Sequence, residues 1–244
     1  KPIKGIETFI ADIRDESCWE HIVLNSDIIF HLSANTCIYS ANQNIVDSLD
    51  SSLKPITHLI NAASKNGKCP TVVFASTATV YGMTSKLPVT ESEKPLPVTV
   101  YDLHKLFVEQ QLKYATRKNI INAVSLRLAN VYGPSLSAST NLRRGVLNKI
   151  IGIALEDKKI NVFGSGEYIR DYVYVDDVAE AFLLAGFEEK MHGLALNIAS
   201  GKGISIYDAF NKVKERVEMK MGSEVKIEIT EGPKDIDPIE IRNF

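Results

Sequence analysis

Short apolar runs rich in β-branched residues alternate with longer stretches of helical periodicity along the whole chain. That alternation restricts the fold more than any other property of the sequence. Residues 8–11, 28–31, 71–75, 122–128, 160–163 and 195–198 have the length and composition of buried strands. Residues 17–24, 47–65, 101–117, 143–156, 176–187 and 206–218 read as helices. In the third of these, Leu103, Leu106, Phe107, Gln110 and Tyr114 form a mostly apolar stripe at helical spacing. A parallel strand pair needs a long crossover, usually a helix, so the expected class is α/β: a doubly wound parallel sheet with helices on both faces.

Composition narrows the function classes. With 244 residues, 45% of them hydrophobic, and a net charge of −2, the chain can bury one large core or two modest ones. No cluster of Lys and Arg suggests nucleic acid, and no apolar run approaches the ~20 residues that cross a bilayer. Cys18, Cys37 and Cys69 are widely spaced and have no His at metal-ligand spacing, so no metal site is expected. Their odd number favours a reducing, cytoplasmic setting.

In open parallel sheets ligands sit beyond the carboxyl ends of the strands, so the residues there carry the functional argument. Asp12 follows the first apolar run; it is either a helix cap or turn residue, or a carboxylate accepting from an adenine amino group. His31-Leu32-Ser33-Ala34 ends the second run, where small residues let a ligand's phosphates approach or simply turn the chain. His31, on an apolar strand, reads as a hydrogen-bonded core histidine. Ser76 and Thr77 end the third run, where they either cap the next turn or hydrogen-bond a substrate oxygen. Tyr101 and Lys105 lie four apart and share one helix face, so the ammonium can stabilise a phenolate and make the tyrosine a usable base. The same spacing also arises from a half-buried aromatic beside a solvated lysine. His104, between them, points to another face, and Asp176-Asp177 reads as the acidic first turn of a helix. Gly201-Lys202-Gly203 reads as a turn that needs no ligand.

Read in order, these strings resemble one family: Asp12-Ile13-Arg14-Asp15, His31-Leu32-Ser33-Ala34, Phe74-Ala75-Ser76-Thr77-Ala78-Thr79-Val80-Tyr81-Gly82, Tyr101-Asp102-Leu103-His104-Lys105 and Arg127-Leu128-Ala129-Asn130-Val131-Tyr132-Gly133-Pro134, then Val162-Phe163-Gly164-Ser165-Gly166 and Arg170-Asp171-Tyr172-Val173-Tyr174-Val175-Asp176-Asp177-Val178. The chain resembles the extended short-chain dehydrogenase/reductases, specifically the NAD-dependent nucleotide-sugar epimerases and dehydratases of the UDP-glucose 4-epimerase type. That resemblance implies a Rossmann-like sheet with a smaller, interleaved substrate lobe. The cofactor domain would comprise residues 1–134 and about 162–198, and the lobe about 135–161 and 199–244.

The resemblance also implies roles. Tyr101 is the general acid/base, and Lys105 lowers its pKa and holds the nicotinamide ribose. Thr77 polarises the sugar hydroxyl. Asp12 and Ile13 contact adenine, while Leu32, Ser33, Ala34, Thr36 and Ser76 line the NAD path; the sequence leaves NADP open. Asn130 binds substrate, Arg170 pairs with the nucleotide diphosphate and Phe163 packs on its base. A planar guanidinium suits phosphate, although Arg170 also reads as a surface ion pair with Asp171 or Asp176, and Phe163 as strand-end core. The partners implied are a nucleotide-diphosphate sugar and a second copy of the chain, packed through the helices at 47–65 and 101–117. Residues 136–147 are expected to select the sugar.

Departures from the pattern matter too. The family's opening glycine-rich turn has no counterpart here, and the end is shorter than usual, so the sequence reads as a trimmed chain whose activity in isolation is in question. Ser52 stands where many relatives carry Asn, and Leu128 where some carry Tyr. After Thr77 the dehydratases carry an acid pair; Ala78 and Thr79 cannot replace it. The reading is therefore epimerisation at C4 through a transient 4-keto sugar. A reductase or dehydrogenase using the same residues is one alternative and a 4,6-dehydratase another. A non-catalytic cofactor sensor or scaffold is the alternative of a different class, disfavoured because Tyr101 and Lys105 are both present.

Overall fold

The computed structural model describes residues 5–34, 38–84, 86–134 and 145–231. Along the chain the elements are α1 (Glu16–Asn25), β1 (Ile28–His31), α2 (Ile38–Gln43), α3 (Ile45–Asn66), β2 (Thr71–Thr77), α4 (Val100–Arg117), β3 (Asn122–Leu128), β4 (Asn130–Tyr132), α5 (Val146–Asp157), β5 (Lys159–Phe163), β6 (Ile169–Tyr174), α6 (Val175–Phe187), β7 (Ala195–Ile198), β8 (Gly203–Ser205), α7 (Ile206–Met221) and β9 (Lys226–Thr230). A 3₁₀ turn, Ala78–Tyr81, follows β2. The mixed α/β class and its parallel pairing match the expectation from alternation.

One expected strand is absent. Residues 8–11 have no strand geometry, and Ile10 is 92% exposed. An extended segment becomes a strand only when a neighbour completes its ladder, and among the described residues no strand flanks this one. Asp12 therefore lies in a turn and ends no strand.

The principal sheet has the strand order β1-β2-β3-β7. The chain divides into two compact units, the first made of residues 1–75, 99–125 and 185–194. In it β1 and β2 run parallel, with Ile28 opposite Thr71 and His31 opposite Phe74. Alternation along β1 sends Ile29 and His31 to one face, where Trp19, Ile56, Leu59, Val72, Phe74, Val108 and Leu112 close a continuous core. On the other face Gly186 of α6 approaches Ile28 and Phe30 so closely that a Cβ would lie 3.1 Å from Ile28. Helix α3 starts at Asn44, whose side chain accepts from the Asp47 amide, and stops at Gly67 in the left-handed region (φ +63°).

The second unit comprises residues 76–98, 126–184 and 195–244. Its strands β4 and β6 are parallel, and β8 joins β6 antiparallel with Arg170 opposite Ile204. Strands β5 and β9 pair in parallel and pack with α5 and α7 around Ile160, Val162, Phe210, Val213 and Val225. Fully burying side chains of this size stabilises by roughly 1.5–3 kcal/mol each. After β2 the chain turns sharply at Gly82, where a Cβ would overlap the carbonyl of Leu96, so only glycine fits.

Candidate active site

In the first unit the candidate site is built on the start of α4. Thr99 caps the helix by accepting from the Asp102 amide at 3.1 Å, and Asn42 accepts from the Val100 amide at 3.0 Å. Tyr101 thus stands in the first turn, half-buried, with Lys105 one turn on. The apolar stripe read from sequence lies on the outer side, where Leu103, Phe107 and Tyr114 are exposed. The inward face instead carries Asp102, Lys105 and Glu109 among Val108, Leu112 and Ala115.

Burying an ammonium is costly unless its donors and charge are answered locally. Lys105, 5% exposed, donates to the Ala75 carbonyl at 2.6 Å and lies 4.5 Å from the centre of the Phe74 ring. The Tyr101 ring centre is 5.8 Å away. Burial pulls the lysine pKa from 10.5 down to about 8, against the opposing pull of Glu109. The solvated-lysine alternative is therefore wrong: this is a desolvated cation beside a tyrosine. His104 turns to α3, where its Nδ1 shares a 2.9 Å hydrogen bond with the Ser48 hydroxyl.

Beyond β1, Leu32 and Ser33 are exposed and Ala34 is partly buried, leaving small side chains at the strand's carboxyl end. Thr36 lies outside the described residues, as do most of residues 136–147. His31 differs from expectation. It is buried, but among the described residues neither ring nitrogen has a hydrogen-bond partner; the ring stacks on Trp19 at 5.6 Å and tilts against Phe74 at 5.8 Å. Desolvation, helped by the Lys105 charge, lowers its pKa from 6.5 to about 4. Asp12 is a turn residue whose carboxylate accepts from the Arg14 amide and pairs with the Arg14 guanidinium, which holds its pKa near 2. The Ile13 carbonyl accepts from the Trp19 indole at 2.7 Å.

The second unit carries the other candidates. Ser76 and Thr77 are buried at the end of β2. Thr77 accepts from the Thr79 amide at 3.2 Å and shares a 2.9 Å bond with the Thr79 hydroxyl, so it caps the 3₁₀ turn. Asn130 donates to the Asp171 carbonyl at 3.1 Å, which ties β4 to the strand that presents Arg170. Arg170 is buried rather than on the surface, and its Nη1 donates to the Ile169 carbonyl. The Asp171 carboxylate is engaged with the backbone amides of Ser200 (2.7 Å) and Lys202 (3.0 Å), which explains the ordered turn at Gly201 without a ligand. Phe163 is 59% exposed, so it is not strand-end core. Asp176 and Asp177 occupy the first turn of α6, as expected.

Sequence reading missed one network here. Arg127, buried on β3, donates to the Tyr81 hydroxyl at 2.8 Å, and that hydroxyl donates to Asn197 on β7 at 2.8 Å. Asn197 is held in turn by the Glu91 carboxylate and the Val89 carbonyl. A charged residue inside an apolar strand pattern was the available signal.

The model of the NAD dependent epimerase/dehydratase family matches residues 2–199. The chain belongs to that family. A UDP-glucose 4-epimerase of Mycoplasma pneumoniae is 27% identical over 223 residues, which cover 82% of this chain and 65% of that one. A dTDP-4-dehydro-6-deoxyglucose reductase of Escherichia coli is 29% identical over 205 residues, covering 83% and 62%. Among solved structures, the UDP-glucose 4-epimerase of Thermotoga maritima with UDP-glucose superposes with a TM-score of 0.83 at 28% identity, covering 96% of this chain and 72% of that one. The chain thus spans about two thirds of the length of the curated relatives it matches.

The residues present suit the NAD of this epimerase/dehydratase family. An ammonium has three donors and Ala75 takes one from Lys105, leaving others for a ribose hydroxyl. Small side chains at Ser33 and Ala34 follow β1, as close approach of a dinucleotide requires.

Proposed function

We propose that this chain carries the catalytic side chains of an NAD-dependent epimerase acting at C4 of a nucleotide-diphosphate hexose. One observation carries the reading: a buried, still ionisable lysine one helical turn from Tyr101, anchored to the end of β2. Tyr101 takes the C4 hydroxyl proton and returns it, and the Lys105 charge favours the phenolate that this requires. Thr77 orients the sugar oxygen. Arg170 answers the diphosphate, Asn130 positions Arg170 and the substrate, and the exposed Phe163 ring offers a face for the base. Leu32, Ser33, Ala34, Ser76 and Lys105 hold the cofactor, with Asp12 and Ile13 toward adenine. NAD, when bound, supplies the acceptor and donor for the C4 hydride. Ala78 and Thr79 leave no acid to expel the C6 hydroxyl, which favours epimerisation over dehydration.

The reading also includes a homodimer through α3 and α4. Its support is a groove between them lined by Leu53, Ile60, Phe107 and Tyr114, with Tyr114 61% exposed.

The test incubates the protein and catalytic NAD with UDP-, GDP-, CDP- and dTDP-hexoses and reads product configuration at C4 by NMR. Interconversion without net change in cofactor supports the epimerase. Stoichiometric cofactor consumption would make it a reductase, and product lacking the C6 hydroxyl a dehydratase.

A further inference from the structure

Lys105 has two anchors from consecutive residues of β2. The Ala75 carbonyl accepts from its ammonium, and the ring of Phe74 presents its face 4.5 Å away. Strand geometry makes this possible, since the backbone carbonyl lies in the sheet while the preceding side chain stands out of it. The Phe74 ring is buried and tilted against His31 at 5.8 Å; His31 is stacked nearly parallel on Trp19, whose indole is tied to the Ile13 carbonyl. A ring contacted in this way cannot turn its edge to the cation.

We propose that Phe74 is a positioning residue for Lys105, its ring face holding the ammonium in place and in its charged form, with His31 fixing the ring. A desolvated cation–π contact is among the stronger ones, because water does not compete for the charge. Among the described residues, α4 presents Glu109, whose charge favours the ammonium, and the Tyr101 phenol, whose ring centre lies 5.8 Å away; His31 on β1 is neutral near pH 7, α1 contributes Trp19, and α3 contributes the apolar Ile56, Leu59, Ala62 and Ala63 and the Ser48–His104 bond. Since burial already brings Lys105 to about 8, losing a modest stabiliser changes its charge within the working pH range.

The inference rests on Lys105 as the partner of Tyr101, but its test needs no turnover. Lysines labelled with ¹³C at Cε are titrated by NMR, with the Lys105 signal assigned through Lys105→Arg. In Phe74→Leu, which keeps the bulk and removes the π face, the Lys105 midpoint drops by about one pH unit, roughly a threefold loss of charged lysine near pH 7.5. Phe74→Tyr keeps the midpoint of the parent protein. His31→Leu, which frees the ring, moves it in the same direction by less. Turnover follows the titration, with kcat lowered and KM unchanged. A folded Phe74→Leu with the parent midpoint overturns the proposal, as does an equal shift in Phe74→Tyr. Should Phe74→Leu not fold, an unshifted His31→Leu overturns it. Absence of epimerase activity in the parent protein sinks the functional reading and leaves the titration result standing.

Discussion

The ammonium of Lys105 and the carbonyl oxygen of Ala75 are 2.6 Å apart, which joins the first turns of α4 to the end of β2. The bond fixes the helix rotation that brings Tyr101 and Lys105 to one side. Lys105→Met keeps the length and apolar contacts while removing the charge. Turnover should fall about 10²–10⁴-fold, the usual range for lost acid–base assistance. The melting temperature should fall too, because the Ala75 carbonyl loses its donor and the buried Glu109 its opposing charge, so turnover is compared at a temperature where both proteins are folded. Stopped-time NMR assays and thermal unfolding check the two halves separately.

The role proposed for Lys105 implies a pH limit. Its pKa near 8 means that the ammonium is present below that pH and lost above it. The value of kcat/KM should therefore decline as pH rises through about 8. In Lys105→Arg any remaining activity should lack this alkaline limb, since guanidinium keeps its proton. A pH profile between 6 and 10 on both proteins decides it.

His31 gives the opposite limb, in stability rather than rate. Its folded pKa is near 4 and its ordinary value 6.5, so between those values the unfolded chain binds a proton that the folded chain refuses. Stability is then fully present above about 6.5 and lost as pH falls toward 4, by up to roughly 3 kcal/mol. Urea unfolding at pH 7 and pH 5 should show the loss in the parent protein and a reduced loss in His31→Phe.

In the second unit, the Tyr81 hydroxyl bridges Arg127 and Asn197. Tyr81→Phe keeps the ring against the Arg127 guanidinium but leaves a buried donor and an acceptor unmatched. The cost should be about 1–3 kcal/mol by urea denaturation. Val89 and Glu91 are tied to Asn197, so proteolysis within residues 86–98 should also quicken.

The longer helices were legible because amphipathic periodicity over several turns leaves few alternatives, whereas the six-residue α2 was not, and β1 and β2 were legible because their runs are short and rich in β-branched residues. Residues 8–11 looked the same, but composition cannot reveal whether a pairing neighbour exists. Strand β6 was missed because Arg170 and Asp171 interrupt its apolar pattern, and both are buried for reasons set by distant residues: Ser200, Lys202 and Ile204 across the turn. Tyr101 and Lys105 were found by spacing. Phe74 was not, since a phenylalanine in an apolar strand is ordinary until a cation is seen over it. Periodicity even misdirected α4: the apolar stripe through Leu103, Phe107 and Tyr114 faces out, while the inward face carries the ionisable groups.

That outward stripe supplies the remaining prediction. A helix ordinarily hides its apolar face in its own core, yet α4 gives its inward face to Lys105 and Glu109 and leaves Phe107 and Tyr114 beside Leu53 and Ile60 of α3. Exposed aromatics grouped across two packed helices favour burial against a matching surface, and a two-fold axis through the groove would supply one. Light scattering should then give twice the 27.0 kDa chain mass at micromolar concentration. Phe107→Glu should return the mass to that of one chain, because each interface would bury two unpaired carboxylates related by the axis. Tyr114→Glu should do the same. A parent protein that scatters as a monomer up to high micromolar concentration would remove the dimer from the reading and leave Tyr101 and Lys105, on the other face of the helix, unaffected.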